Sequence, residues 1–158
     1  MQTFSYLRRS RFNLQPLLAL VLFLTALVYE SLGTIYLFMT PLLGVGFYFW
    51  RKYYHEKKYY FYIALFFLYT FYFEIDREMI LFSFLLLALF YHYFLAGWIE
   101  MSINCTPCIA FIEVSYAYLG YFLLNLFLAF VFNLPLPVFD SIYFIYIITD
   151  FFLVVLFS

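Results

Sequence analysis

The stretch MILFSFLLLALFYHYFLAGWI, from Met79 to Ile99, is long and apolar enough to form one helix across a bilayer. His92 is the only residue of this stretch whose side chain ordinarily titrates near neutral pH. The rest of the chain has the same character, because 68% of all residues are hydrophobic and only 11% are charged. The mean hydropathy is +0.98. These values exclude a water-soluble fold.

Five further apolar runs flank this one, and together they fill the chain. We therefore predict an all-α membrane protein in which residues 1–158 form a single domain, one bundle of about six transmembrane helices. We predict two turns between these runs, one at Glu30 with Ser31 and one at the acidic segment from Glu74 to Glu78. The predicted spans are Leu14–Tyr29, Leu32–Trp50 with a kink or close contact at Pro41, Gly44 and Gly46, Tyr59–Phe73, Met79–Ile99, Ile109–Asn133 and Val138–Ser158.

The basic residues predict the orientation of the bundle. Seven of the eight Lys and Arg residues fall in two regions, which six spans would place on one side of the membrane. By the positive-inside rule that side is the cytoplasm, so we expect both termini inside. We expect the location to be a bacterial inner membrane. A five-span arrangement would place the carboxyl terminus outside. The two regions are Arg8, Arg9 and Arg11 before the first span and Arg51, Lys52, Lys57 and Lys58 after the second.

Three ionisable side chains fall inside predicted spans, where each is costly and hence a candidate for function. With a rise of about 1.5 Å per residue, His92, Glu113 and Asp150 lie at depths of roughly 6 to 12 Å on the cytoplasmic side. They are predicted to form a cluster that binds a ligand or a proton. The alternative is that they hydrogen-bond helices together. Asn125 is predicted to be a packing amide and Asp140 a helix-start carboxylate.

A second candidate is the segment Asn104-Cys105-Thr106-Pro107-Cys108, between the fourth and fifth spans. Paired thiols at this spacing can cycle between dithiol and disulfide, or supply half of a zinc site. A cytoplasmic location predicts reduced thiols. No further cysteine is present to complete a zinc site or relay electrons, so we expect no metal.

Other functions are disfavoured by the sequence. The net charge of −1 gives no basic surface for nucleic acid. No nucleotide-binding loop, HExxH pair or GxSxG sequence occurs. We therefore predict no catalytic residues, no cofactor and no enzymatic activity.

The chain resembles MreD, the family of small rod-shape-determining membrane proteins of bacteria. The resemblance lies in the size, the spacing of the spans, the basic amino terminus and the short basic loop after the second span. The third span of that family carries glycines and an intramembrane Asp, whereas this chain has Phe71-Tyr72-Phe73-Glu74-Ile75-Asp76, with the acid and without the glycines. The resemblance implies a binding or scaffold subunit of a cell-envelope complex, whose partners are the lipid bilayer and other membrane proteins.

Two other functions stay open at this point. The same family is similar in fold to substrate-capturing subunits of vitamin transporters, which implies a component that binds or transports a small ligand, an ion or a proton. The second alternative is a membrane thiol–disulfide protein that uses Cys105 and Cys108.

Overall fold

The computed structural model describes residues 14–33, 36, 40–137 and 140–157. These residues form six helices and contain no strand, as the apolar runs predict. The basic residues before Leu14, Val138 and the carboxyl-terminal Ser158 lie outside the described part. The helices are α1 Leu14–Gly33, α2 Leu43–Tyr53, α3 Tyr60–Asp76, α4 Ser83–Ser102, α5 Thr106–Phe132 and α6 Ile142–Phe157.

Two of these helices, α4 and α5, are long and apolar enough to cross a membrane. Their positions agree with the fourth and fifth predicted spans to within a few residues. The predicted second span is wrong, because α2 begins only at Leu43 and has 11 residues. At about 1.5 Å per residue it is roughly 16 Å long, too short to cross about 30 Å of hydrocarbon.

The predicted turn at Glu30 is also wrong, since α1 continues through this residue to Gly33. The predicted acidic turn begins too early as well. Glu74 and Asp76 still belong to α3. Of the three acidic residues, only Glu78, whose φ is 52°, lies in the turn that follows. In both places the helix continues because the carboxylate is buried against a tertiary partner, described below, which the local sequence does not show.

The bundle has two ends with different chemistry. Arg51 and Lys52 lie in the last turn of α2, and α3, α4 and α5 all begin or end beside them. We call this the basic end. At the opposite end Glu30 of α1 contacts the last part of α3. The helices from α1 to α4 therefore alternate in direction.

The short helix α2 lies in the middle of the bundle, where it packs against α3, α5 and α6. Phe47 is its most buried residue, with 0% exposure. The ring of Phe47 lies 5.1 Å from that of Tyr91 and 6.0 Å from that of Phe84, both of α4. Offset and edge-on ring pairs of this kind add packing energy beyond area burial.

Both long helices contain a π-helical segment, Tyr91–Leu95 in α4 and Tyr116–Gly120 in α5. The rings of Tyr91 and Tyr116 are 4.9 Å apart, so the two irregular turns face each other across the bundle. π-helical turns are rare and frequently mark functional positions. This pair lies directly beside the buried carboxylate of Glu113, to which Tyr91 donates.

The glycine at position 44 lets α2 approach its neighbours closely. A Cβ atom at this position would lie 2.8 Å from Val114 Cγ1 and 3.0 Å from the carboxylate of Asp150. We expect Gly44→Ala to lower the free energy of unfolding by about 1–3 kcal/mol, because overpacking forces neighbouring atoms to move.

Gly97 of α4 provides the matched control for Gly44, because nothing lies within 4 Å of a Cβ built there. Gly97→Ala should leave stability unchanged or raise it by up to about 1 kcal/mol, since alanine favours helix. Thermal melting of both variants in detergent measures the contrast. Equal melting temperatures would contradict the close approach at Gly44.

Candidate functional site

The first group of polar residues surrounds the amino terminus of α2. The N–H groups of Gly44 and Val45 donate to Asp150 Oδ2, at 3.0 and 3.3 Å. The hydroxyl of Tyr118 donates to the same oxygen at 2.7 Å. Asp150 is 0% exposed and lies near the middle of α6. A carboxylate here supplies the acceptor that the free N–H groups of a helix start require.

No residue next to α2 in sequence could play this role. Leu42 precedes the helix in a left-handed conformation and offers no side-chain cap. The carboxylate from α6 therefore replaces the usual Ser, Thr, Asp or Asn at the helix start. Its other oxygen, Oδ1, is buried and finds no hydrogen-bond partner in the part of the chain that the structure describes.

The second group of polar residues forms a cavity of about 520 Å³ at the basic end, between α2, α4 and the start of α5. We call it the polar pocket. Glu113 is 4% exposed and forms part of its wall, and its Oε1 accepts a hydrogen bond of 3.0 Å from Tyr91. The polar residues lining the pocket include Arg51, Lys52, His55, Glu100, Thr106 and Glu113.

Aromatic rings and one carboxylate hold the two cations from the end of α2. Arg51 forms an ion pair with Glu100, and its guanidinium carbon lies 5.6 Å from the ring centre of Tyr54. Lys52 Nζ lies 5.6 Å from the ring centre of Tyr48. Cation–π contacts at such distances are attractive. The pocket thus combines fixed positive charge with the acidic side chains of Glu100 and Glu113.

The third predicted intramembrane residue, His92, lies on the aromatic side of the polar pocket. Its ring centre is 4.8 Å from that of Tyr54 and 6.4 Å from that of Trp50. Its Nδ1 is buried, and no described residue hydrogen-bonds it. The residue beside it, Tyr91, is the one that donates to Glu113.

The structure does not join His92, Glu113 and Asp150 into one bonded cluster. Within the described part of the chain, no hydrogen bond or ion pair connects any two of them. Glu113 belongs to the polar pocket and His92 packs on a ring that lines it, whereas Asp150 caps α2. Similar depths in a membrane do not fix which way each side chain faces around its helix.

Two buried carboxylates at the opposite end were missed by the sequence reasoning. Glu30 is 1% exposed, and the hydroxyl of Tyr69 lies 2.9 Å from its Oε2 and 2.6 Å from the carbonyl oxygen of Pro41. Arg77 donates to Glu30 Oε1 at 3.4 Å. The one available signal was that the apolar run of the first span continues past Glu30 to Gly33.

The other missed carboxylate is Glu74, which caps the start of α4. Its Oε2 accepts from the N–H of Phe82, and its Oε1 accepts from the N–H of Phe84, both at 2.7 Å. The hydroxyl of Ser83 donates to Oε1 as well, at 2.9 Å. Asn125 donates to Ser83 and to the carbonyl of Tyr121, so the predicted packing amide is confirmed.

The cysteine pair lies at the basic end, where α5 begins. Cys105 precedes the first helical residue, Thr106, and Cys108 lies in the first turn. The two sulfur atoms are bonded to each other, and both residues are exposed. This differs from the predicted reduced thiols. Their Cα atoms are 5.2 Å apart, a separation that a disulfide spans readily.

Among the described residues, no group of three or more His, Cys, Asp or Glu side chains is placed to hold a metal ion. The arrangement offers instead a pocket with charges of both signs, two carboxylate caps and one disulfide. No protein-family model, curated protein or solved structure matches this chain.

Proposed function

We propose that this chain is a multi-pass protein of a bacterial inner membrane that binds a small amphoteric molecule, one with an amino and an acidic group, in the polar pocket. The observation that carries the proposal is the carboxylate of Glu113, buried in the wall of a cavity that Arg51, Lys52 and His55 also line. The cavity volume of about 520 Å³ is typical of small-ligand sites.

The surface of the bundle supports the membrane part of the proposal. Large apolar side chains are exposed along every long helix, among them Leu22 of α1, Phe127 of α5 and Phe152 of α6. A soluble monomer rarely exposes contiguous apolar surface on this scale. In this arrangement α4 and α5 cross the bilayer fully, α2 crosses only part of it, and the basic end faces the cytoplasm.

The charges of the polar pocket favour an amphoteric ligand over a simple anion or cation. Tyr91 donates to only one oxygen of Glu113, which leaves the carboxylate able to accept from an amino group. The acidic group of the ligand would be met by the basic side chains of the pocket, Arg51, Lys52 and His55. Of these charged groups only Glu113 is buried, so the hydrogen bond that it accepts from the ligand is the one best shielded from water.

The experiment that tests this proposal compares ligand binding by the wild type and by Glu113→Gln. The purified proteins in detergent are screened by native mass spectrometry and thermal shift against amino acids and phosphoethanolamine. We expect the substitution to weaken binding about 10- to 150-fold, because a hydrogen bond to a charged group contributes about 1.5–3 kcal/mol.

Glu56→Gln is the control for this measurement, since Glu56 is exposed in the basic loop and does not line the polar pocket. It should bind like the wild type. Equal affinities for all three proteins would contradict a ligand site at Glu113.

A second candidate function is the scaffold subunit of a cell-envelope complex that the resemblance implies. It is favoured by a cluster of exposed large side chains on α4, namely Tyr93, Phe94, Trp98 and Met101. Another transmembrane helix could pack against this surface. Gentle extraction followed by mass spectrometry separates the two functions, because envelope proteins in stoichiometric amounts favour the scaffold and a retained metabolite favours the polar pocket.

A further inference from the structure

The bonded pair Cys105 and Cys108 lies outside the proposed ligand site. We propose that it is a thiol–disulfide exchange site that reacts with a disulfide in the aqueous phase. The inference does not rest on the proposed function. Three observations of the described structure carry it: the bond between the two sulfur atoms, their exposure, and their places at the start of α5.

The pair is accessible, which exchange requires. Both cysteines are exposed, at the end of the bundle where α4 ends at Ser102 and α5 begins at Thr106. A disulfide that only held the fold together would be expected between distant segments, because closing a longer loop stabilises more. This one spans a sequence separation of three residues.

The position of the two cysteines on α5 makes them chemically different. Cys105 is the residue before the helix, and in the bonded state its side chain makes no capping hydrogen bond. Once the pair is reduced, the sulfur of Cys105 is free to accept from the N–H of Cys108 in the first turn, since Pro107 has no N–H. That N–H and the helix dipole stabilise a thiolate at this position.

The thiolate is the reactive form of a cysteine, and the start of α5 stabilises it at position 105 more than at position 108. Thr106, the residue after Cys105, lines the polar pocket, where cations and carboxylates are both present. We therefore assign the attacking role to Cys105 and the resolving role to Cys108.

The partner disulfide is the only oxidant that the exchange needs. The Cys105 thiolate attacks one sulfur of the partner, whose S–S bond breaks and whose other sulfur leaves as a thiolate and takes up a proton. Cys108 loses its proton and attacks the Cys105 sulfur, which forms the intramolecular disulfide and releases the second partner thiol. The pair gives up two electrons and two protons, and the partner disulfide gains them.

The test uses the full chain in detergent, reduced and then exposed to glutathione disulfide, with intact mass measured over time. The chain has two cysteines in all, so every adduct belongs to one of them. We expect the wild type to form its internal disulfide and retain no glutathione. Cys108→Ser should keep one glutathione on Cys105, at least about three times faster than Cys105→Ser acquires one on Cys108.

Two results would overturn this inference. One is equal rates of adduct formation in the two single variants, which would remove the distinct role of Cys105. The other is a wild type that accumulates two glutathione adducts, which would show that Cys108 does not resolve the mixed disulfide. Asp76→Asn serves as the control, because Asp76 is exposed at the opposite end of the bundle and the exchange rate should stay unchanged.

Discussion

Replacing Asp150 with alanine is expected to lower the free energy of unfolding by about 3–5 kcal/mol. Asp150 Oδ2 accepts from the N–H groups of Gly44 and Val45 and from the hydroxyl of Tyr118. Alanine would leave all three donors without a partner in the centre of the bundle. A buried donor that loses its acceptor costs about 1–3 kcal/mol.

Asp150→Asn separates the hydrogen bonds from the charge. All three of these donors point to Oδ2, while Oδ1 is buried and has no partner among the described residues. Asparagine can place its carbonyl oxygen where Oδ2 lies and its amide nitrogen where Oδ1 lies. We expect this variant to stay within about 1 kcal/mol of the wild type, because the acceptor at Oδ2 is preserved and the hydroxyl of Thr40, which bonds this carboxylate, can accept from the amide.

Denaturation in mixed micelles, together with the yield of folded protein, measures both variants at Asp150. We expect Asp150→Asn to be nearly as stable as the wild type and Asp150→Ala to be much less stable than both. An alanine variant as stable as the asparagine variant would show that the start of α2 finds other acceptors.

Most helices could be predicted from hydropathy alone, because each long apolar run has to bury its backbone polar groups within itself. The six runs did become six helices. The break before α2 could not be predicted this way, since the residues on both sides of it are equally apolar. Pro41 with Gly44 and Gly46 indicated an irregularity, but not that the helix would begin only at Leu43.

The buried carboxylates were predictable only in part, for a related reason. Glu113 and Asp150 lie inside apolar runs, so their burial follows from position. Glu30 and Glu74 lie near the ends of runs, where a carboxylate is usually solvated. Their burial depends on Tyr69 and Arg77 in one case and on the start of α4 in the other. Such partners are set by the packing of helices, which one sequence does not reveal.

The second large effect is expected at Glu74, where glutamine should be nearly as damaging as alanine. The two carboxylate oxygens accept from two different backbone groups, Oε2 from the N–H of Phe82 and Oε1 from the N–H of Phe84. Glutamine has a single side-chain acceptor oxygen, so its amide N–H would face one of these donors. We expect Glu74→Gln to lower the free energy of unfolding by about 2–4 kcal/mol.

Asp76→Asn is the matched control for Glu74→Gln, because Asp76 lies in the same last turn of α3 and is exposed. It should change stability by less than about 0.5 kcal/mol. The contrast with Asp150→Asn is the sharper comparison, since both changes turn a buried carboxylate into an amide. The change should destabilise the protein only at Glu74, where both carboxylate oxygens accept backbone hydrogen bonds. If denaturation in mixed micelles finds Glu74→Gln as stable as Asp150→Asn, the start of α4 does not depend on a cap with two acceptors.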